Sequence, residues 1–142
     1  VIAFSMVPLA KRMGPGPLHA MCLFAGGVGM FALPNITDKF LLFLPAIGIG
    51  IAWGSIMGNP YAILSNAIPP QRTGVYMGIF NMMIVIPMLI HSLTFPLIYH
   101  PLLGGDSRNA ILFGGVFLLC ASVTMIWVKD PVRSSRAVAE TG

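Results

Sequence analysis

What this sequence has least of is charge: Asp, Glu, Lys and Arg make up 8% of its 142 residues. A water-soluble domain carries roughly 25%, and one of this length still exposes about a third of its chain surface. A chain so poor in charge has no means of covering that surface in water, so lipid is the solvent facing most of it. Acids are scarcest. Asp38, Asp106, Asp130 and Glu140 are the whole set, and none sits inside a long apolar run. A proton relay built on an intramembrane carboxylate is therefore excluded from these residues. Cys22 and Cys120 both lie within apolar runs, which makes them small packing residues and not a disulfide. The chain has no metal-ligand cluster, no nucleotide-binding loop and no nucleophile–base pair at a recognisable spacing, so neither an enzyme nor a bound cofactor is expected. Alternation is missing too: Leu41–Leu44 and Ile111–Phe113 are continuous apolar runs, whereas a membrane β-barrel strand alternates every second residue.

What is present in excess is hydrophobicity, at 56% of residues with a mean hydropathy of +0.87. No charge falls between Arg12 and Asp38, Lys39 and Arg72, Arg72 and Asp106, or Arg108 and Lys129. Each interval holds a helix of about 20 residues, the length that crosses a hydrocarbon core roughly 30 Å thick. The fold class is therefore an all-α, polytopic transmembrane helix bundle. Spans are predicted near 18–34, 40–66, 73–98 and 109–128, followed by a polar tail at 129–142. Val1 to Ala10 reads as the second half of a further span, since ten residues rise about 15 Å, half a bilayer. A piece of a longer protein is the expectation, with its N-terminal part upstream.

Placing the connectors alternately on the two sides sorts the eight basic residues. Lys11, Arg12, Arg72, Lys129, Arg133 and Arg136 fall on one side, Lys39 and Arg108 on the other. The first side is cytoplasmic by the positive-inside rule, and the tail with it. Net charge is +4, but the basic residues bracket apolar spans. The lipid surface is thus their expected partner, and nucleic acid is not.

Polar side chains in mid-membrane face a bundle interior or a watery cavity. Between 40 and 66 these are Trp53, Ser55, Asn59, Tyr61, Ser65 and Asn66. Ser55, Asn59 and Asn66 share one helical face. Pro60 removes a backbone donor directly after Asn59, which predicts a bend there. Between 73 and 98 they are Asn81, Ser92 and His91, with Pro87 among them. For Asn59 and Asn81, solute contact and interhelical hydrogen bonding both remain open. Trp53 and Tyr61 have the rings to stack on a sugar or to pack against a helix, and His91 reads as a flank residue. His19 and His100, near predicted span ends, are expected at the interface. Glycines four apart, Gly50-Gly54-Gly58 and Gly74-Gly78, and the cluster Gly26, Gly27, Gly29 point to close helix packing.

Lys11-Arg12-Met13-Gly14 resembles the basic loop motif of the major facilitator superfamily. Asn59-Pro60-Tyr61-Ala62-Ile63-Leu64 and Pro69-Pro70-Gln71-Arg72-Thr73-Gly74-Val75-Tyr76-Met77-Gly78-Ile79-Phe80-Asn81 resemble the tenth and eleventh helices of its sugar:cation symporters related to sucrose and maltose carriers. The resemblance spans the whole chain, from the end of helix eight to helix twelve and the tail. The pattern is departed from at Pro15-Gly16-Pro17, where further basic residues are expected, and at Met88, where a polar one is. What the resemblance implies is a twelve-helix carrier in a plasma membrane, a bacterial inner membrane in the first instance, with solute bound at the midplane between two halves. It implies that Asn59 and Asn81, with Trp53, Tyr61, Ser55 and His91, face a sugar. Lys11, Arg12 and Arg72 would form a cytoplasmic gate, with headgroup contact the alternative for Arg72. H⁺ or Na⁺ would be the coupling ion. A carrier of another solute, a drug exporter, or a non-transport polytopic protein are the competing expectations.

The charge asymmetry generates a direct test. A reporter fused after Gly142 is expected to read cytoplasmic, and a tag inserted at Gly105 to be reachable from outside. Both on one side would break the count of crossings.

Overall fold

The computed structural model describes residues 9, 10 and 12–128. Among these it consists of helices and turns, with no strand. Most of the half-span at 1–10, all of the tail at 129–142, and Lys11 lie outside the described residues. The helices are α1 (Pro15–Ala32), α2 (Phe43–Ala67), α3 (Thr73–Tyr99) and α4 (Ser107–Met125). All four are long and apolar enough to cross a membrane.

Helix ends differ from the predicted spans for local reasons. Pro15-Gly16-Pro17, assigned to a connector by sequence, is the first turn of α1. Proline suits a helix start, where its missing N–H would have no partner anyway. Gly14, just before it, has φ 87°, a left-handed conformation that favours glycine. At the other end Asn35 Nδ2 donates to the Phe31 carbonyl at 2.9 Å, over a short 3₁₀ turn at Leu33–Asn35. α2 begins at Phe43 instead of 40. The Asp38 carboxylate accepts from the Phe40 and Leu41 amides at 2.7 and 3.3 Å and holds the intervening residues in turns. The helix then runs through Pro60 without interruption.

Extended Pro69 ends the second crossing. Thr73 Oγ1 then donates to the Pro70 carbonyl at 2.9 Å as α3 begins. Gly104 and Gly105, at φ 66° and 69°, turn the chain toward α4. The Asp106 carboxylate accepts from the Arg108 amide at 2.8 Å and starts that helix two residues before the predicted 109.

The chain divides into two compact units, one comprising residues up to Ala67 and from Ile111 onward, the other Ile68–Ala110. In the first, α1 is the helix that the others pack on, and half of its span is buried. Its face against α2 is a stripe of small or polar residues at alternating steps of three and four: His19, Cys22, Gly26, Gly29. The α2 stripe is Gly48, Ala52, Ser55, Asn59 at steps of four, three and four. The two stripes meet antiparallel. Gly29 lies against the Pro45 carbonyl, Gly48 against the Ala25 carbonyl, Gly26 against Ala52, and Ser55 against His19. Such spacing lets two backbones approach closely.

A neighbouring face of α1 meets α4, also antiparallel. Gly27 faces Leu119, Gly115 faces Met30 and Phe31, and Ser122 Oγ donates to the Ala20 carbonyl at 2.8 Å. α2 and α4 therefore run in the same direction, as alternating crossings require. The packing step of α2 against α1 is thus Gly48–Ala52. Gly58, Gly74 and Gly78 have open space where a side chain would stand.

In the second unit no residue of α3 is buried. Its C-terminal half carries a run of rings, with His91 stacked on Phe95 at 5.0 Å and Phe95 on Tyr99 at 5.6 Å. Leu103 is buried beneath the turn after α3, and Asn109 Nδ2 donates to its carbonyl at 3.0 Å.

The glycine contacts carry a stability prediction. A Cβ at residue 48 would stand 2.7 Å from the Ala25 carbonyl oxygen, so Gly48→Ala should cost about 1–3 kcal/mol through overpacking. Gly78→Ala meets nothing and should stay within about 0.5 kcal/mol of the parent. Unfolding of both variants in mixed micelles measures the difference.

Candidate functional site

Among the described residues, the buried polar side chains are His19, Ser55, Asn59 and Ser122. The first three lie together at the α1–α2 contact. Ser55 is at the centre with no exposed surface. His19 Nδ1 lies 2.7 Å from Ser55 Oγ, and Asn59 Nδ2 donates to the same oxygen at 2.7 Å. The Cys22 thiol lies beside Ser55, within reach of its hydroxyl. Ser55 and Asn59 stand one turn apart on α2, and His19 and Cys22 one turn apart on α1, so each pair presents itself on a single face. Gly26 and Ala52, the next small residues along, bring the two backbones close enough for a serine hydroxyl to reach the opposite helix.

Serine is the shortest side chain able to donate once and accept twice. Its position explains why four polar groups share one point. Asn59 fills one lone pair of Oγ, leaving a lone pair and the hydroxyl proton for His19 and Cys22. Every group in the cluster is neutral when the imidazole is neutral. No carboxylate, lysine or arginine belongs to the described parts of α1 or α2. Chemically the cluster can exchange a proton or rearrange its hydrogen bonds. Among the described residues no charged group belongs to the cluster to activate the thiol or to orient the imidazole as a base.

The residues singled out by sequence fall into three places. Ser55 and Asn59 come together, and their spacing on one face is the reason. Trp53, two residues from Ser55, is 65% exposed on the other side of α2, and Tyr61 is half-buried. Asn81 and His91 lie on the exposed surface of α3. Arg12 and Arg72 are exposed near helix starts. Lys11 and the side chain of Asn66 lie outside what is described.

For two residues the structure adds a neighbour that the sequence does not name. His19, expected near a span end, is the fifth residue of α1 and is only 7% exposed, with Ser55 of α2 against its ring. Cys22, expected as a small packing residue and not a disulfide, is free and buried on α1, beside Ser55. Cys120 is exposed on α4. The signal that would have found His19 and Cys22 was the three-and-four stripe they form with Gly26 and Gly29.

A double-mutant cycle tests the pair. His19→Ala and Ser55→Ala should couple by about 0.6 kcal/mol, with roughly 1.7 as the upper end, the range of side-chain hydrogen bonds between helices in lipid. Unfolding free energies of the two single variants and the double variant give the coupling, and additive effects would mean that the pair is absent. A scan against family models, a search of curated proteins and a search of solved structures each return no match for this chain.

Proposed function

We propose that the chain is part of a secondary carrier of the major facilitator type, moving a neutral polar solute, a sugar first of all, by alternating access. The observation that carries the reading is the sign of the interior. Buried polar side chains at the helix contacts are uncharged, whereas the described charged residues stand outside the four spans or at their ends. A neutral lining of amides, hydroxyls and rings suits a sugar. An anionic solute would call for a buried cation.

Within this reading Ser55 holds α1 and α2 together through His19, and the Asn59 amide, one turn along α2, is occupied in donating to the same oxygen. Solute contact then falls to the polar groups on open faces: Asn81 and His91 on α3, and Trp53 and Tyr61 on α2. Lys11, Arg12 and Arg72 supply the basic rim on the cytoplasmic side. The motif resemblance at Asn59–Leu64 and Pro69–Asn81 supports the same assignment of helices. It also supplies the coupling of solute entry to H⁺ or Na⁺ as part of the proposal. Transport by the superfamily fold rocks one helical half against the other around a midplane site.

The test is uptake of labelled sucrose and maltose into proteoliposomes holding the full-length protein. Asn81→Ala should raise the half-saturation concentration about tenfold, the equivalent of one lost hydrogen bond to solute, with membrane abundance unchanged. Unaltered kinetics would remove Asn81 from the site. Absence of uptake of either sugar would overturn the choice of substrate class.

A further inference from the structure

We infer that His19 is a proton-binding site, and that Ser55 reports its protonation to the α1–α2 contact. The acids of this chain lie outside its apolar spans, so a carboxylate relay is not available in these residues. The histidine bonded to Ser55 is a titratable group held at a helix–helix contact inside a span, more than nine-tenths buried. In lipid-embedded bundles such groups mark ion and proton pathways.

The hydrogen bonds show how a proton would be registered. With Nδ1 bare, Ser55 donates its proton to the ring while its oxygen accepts from Asn59. When Nδ1 takes up a proton it becomes a donor. Ser55 Oγ then accepts from both His19 and Asn59, and its own proton must turn away, with Cys22 Sγ within reach. In the other tautomer Nδ1 already donates, and the incoming proton goes to Nε2, for which no acceptor is present among the described residues. In the first tautomer one proton reverses the bond between the two helices; in the second it leaves that bond in place and puts a charge into the contact.

The surroundings decide which state the packed contact favours. The groups facing His19 are Cys22 on its own helix, and Ser55 and Asn59 on α2, with Tyr61 the remaining titratable side chain there. On the neighbouring α4, Ser122 is bonded to the Ala20 carbonyl and Met125 lies by Gly16. All are neutral, and Arg12 lies exposed before the helix. An imidazolium in the closed contact has no counter-charge among the described residues, whereas one exposed by parting α1 from α2 gains water. Proton uptake and opening of this contact therefore favour each other, by reciprocal linkage. The use of the proton, as the coupling ion of solute entry, rests on the carrier reading. Its binding at His19 does not.

Two measurements on the full-length protein in nanodiscs, without any solute, test this. Deuterium exchange at the imidazole C2 position, read on the peptide carrying His19, should follow a sigmoid between about pH 5 and 9. An exchange profile showing no protonation across that range overturns the proposal. Alkylation of Cys22 by N-ethylmaleimide, quantified on its own peptide, should fall by much less than tenfold per pH unit on acidification. Opening of the contact offsets the loss of thiolate. In His19→Gln, which keeps a neutral hydrogen-bonding group, the fall should return to about tenfold per unit. Equal slopes in the two proteins overturn the link to the contact. Should His19→Gln fail to give a monodisperse protein, the exchange profile of the parent alone decides. A protein that passes both tests but carries no sugar keeps its proton site and loses the carrier reading. Sugar uptake with an untitrated His19 does the reverse.

Discussion

In water two helices are driven together by the apolar surface they hide. In lipid that force is gone, because the hydrocarbon tails are as apolar as leucine. Helices must instead gain from close packing and from hydrogen bonds between them. The contact between α1 and α2 meets this requirement with glycine and alanine at Gly26, Gly29, Gly48 and Ala52. Carbonyls of each helix lie against glycines of the other. Everything polar at that contact depends on the approach. A serine side chain is too short to reach His19 across helices held apart by leucines, so the cluster at Ser55 exists because the glycines lie beside it.

The same helix serves a second partner on a different face. Gly27 lies against Leu119, and Ser122 reaches the Ala20 carbonyl. One helix with two adjacent small-residue faces can hold two neighbours of the same direction. That is how a bundle core is assembled from spans with no outward polar face. Unlike α1, α3 is long, apolar and without a buried residue. Two of its polar side chains, Asn81 and His91, are exposed, and the carrier reading assigns solute contact to them.

Much of the architecture was legible in the sequence. Charge-free intervals of span length fixed four of the helices, because a charge in hydrocarbon is costly and its absence is therefore a ruler. Connector chemistry was readable at Thr73, where the extended Pro69 and the turn through Arg72 set a helix start that matched. The other ends shifted for reasons the pattern of hydropathy does not register. Pro15 and Pro17 are as compatible with a first helical turn as with a loop, and Asp38 and Asp106 set their helix starts by accepting from backbone amides downstream. Such local turns depend on one or two hydrogen bonds each, and hydropathy is blind to them.

The candidate site was half legible. Ser55 and Asn59 were placed on one face by their four-residue spacing, and that periodicity belongs to any helix. Their partner was not visible, since it lies 36 residues away on another helix, and no rule of spacing within one helix names the residue opposite. By itself, then, the sequence determined the solvent, the secondary structure and the number of helices among the described residues, because composition and charge spacing respond to lipid directly. Only the tertiary structure decided that Gly48 and Ala52 pack while Gly58 does not, and that His19 meets a serine on α2. Helix pairing in lipid turns on the exact fit of two surfaces, and fit is a property of both helices together.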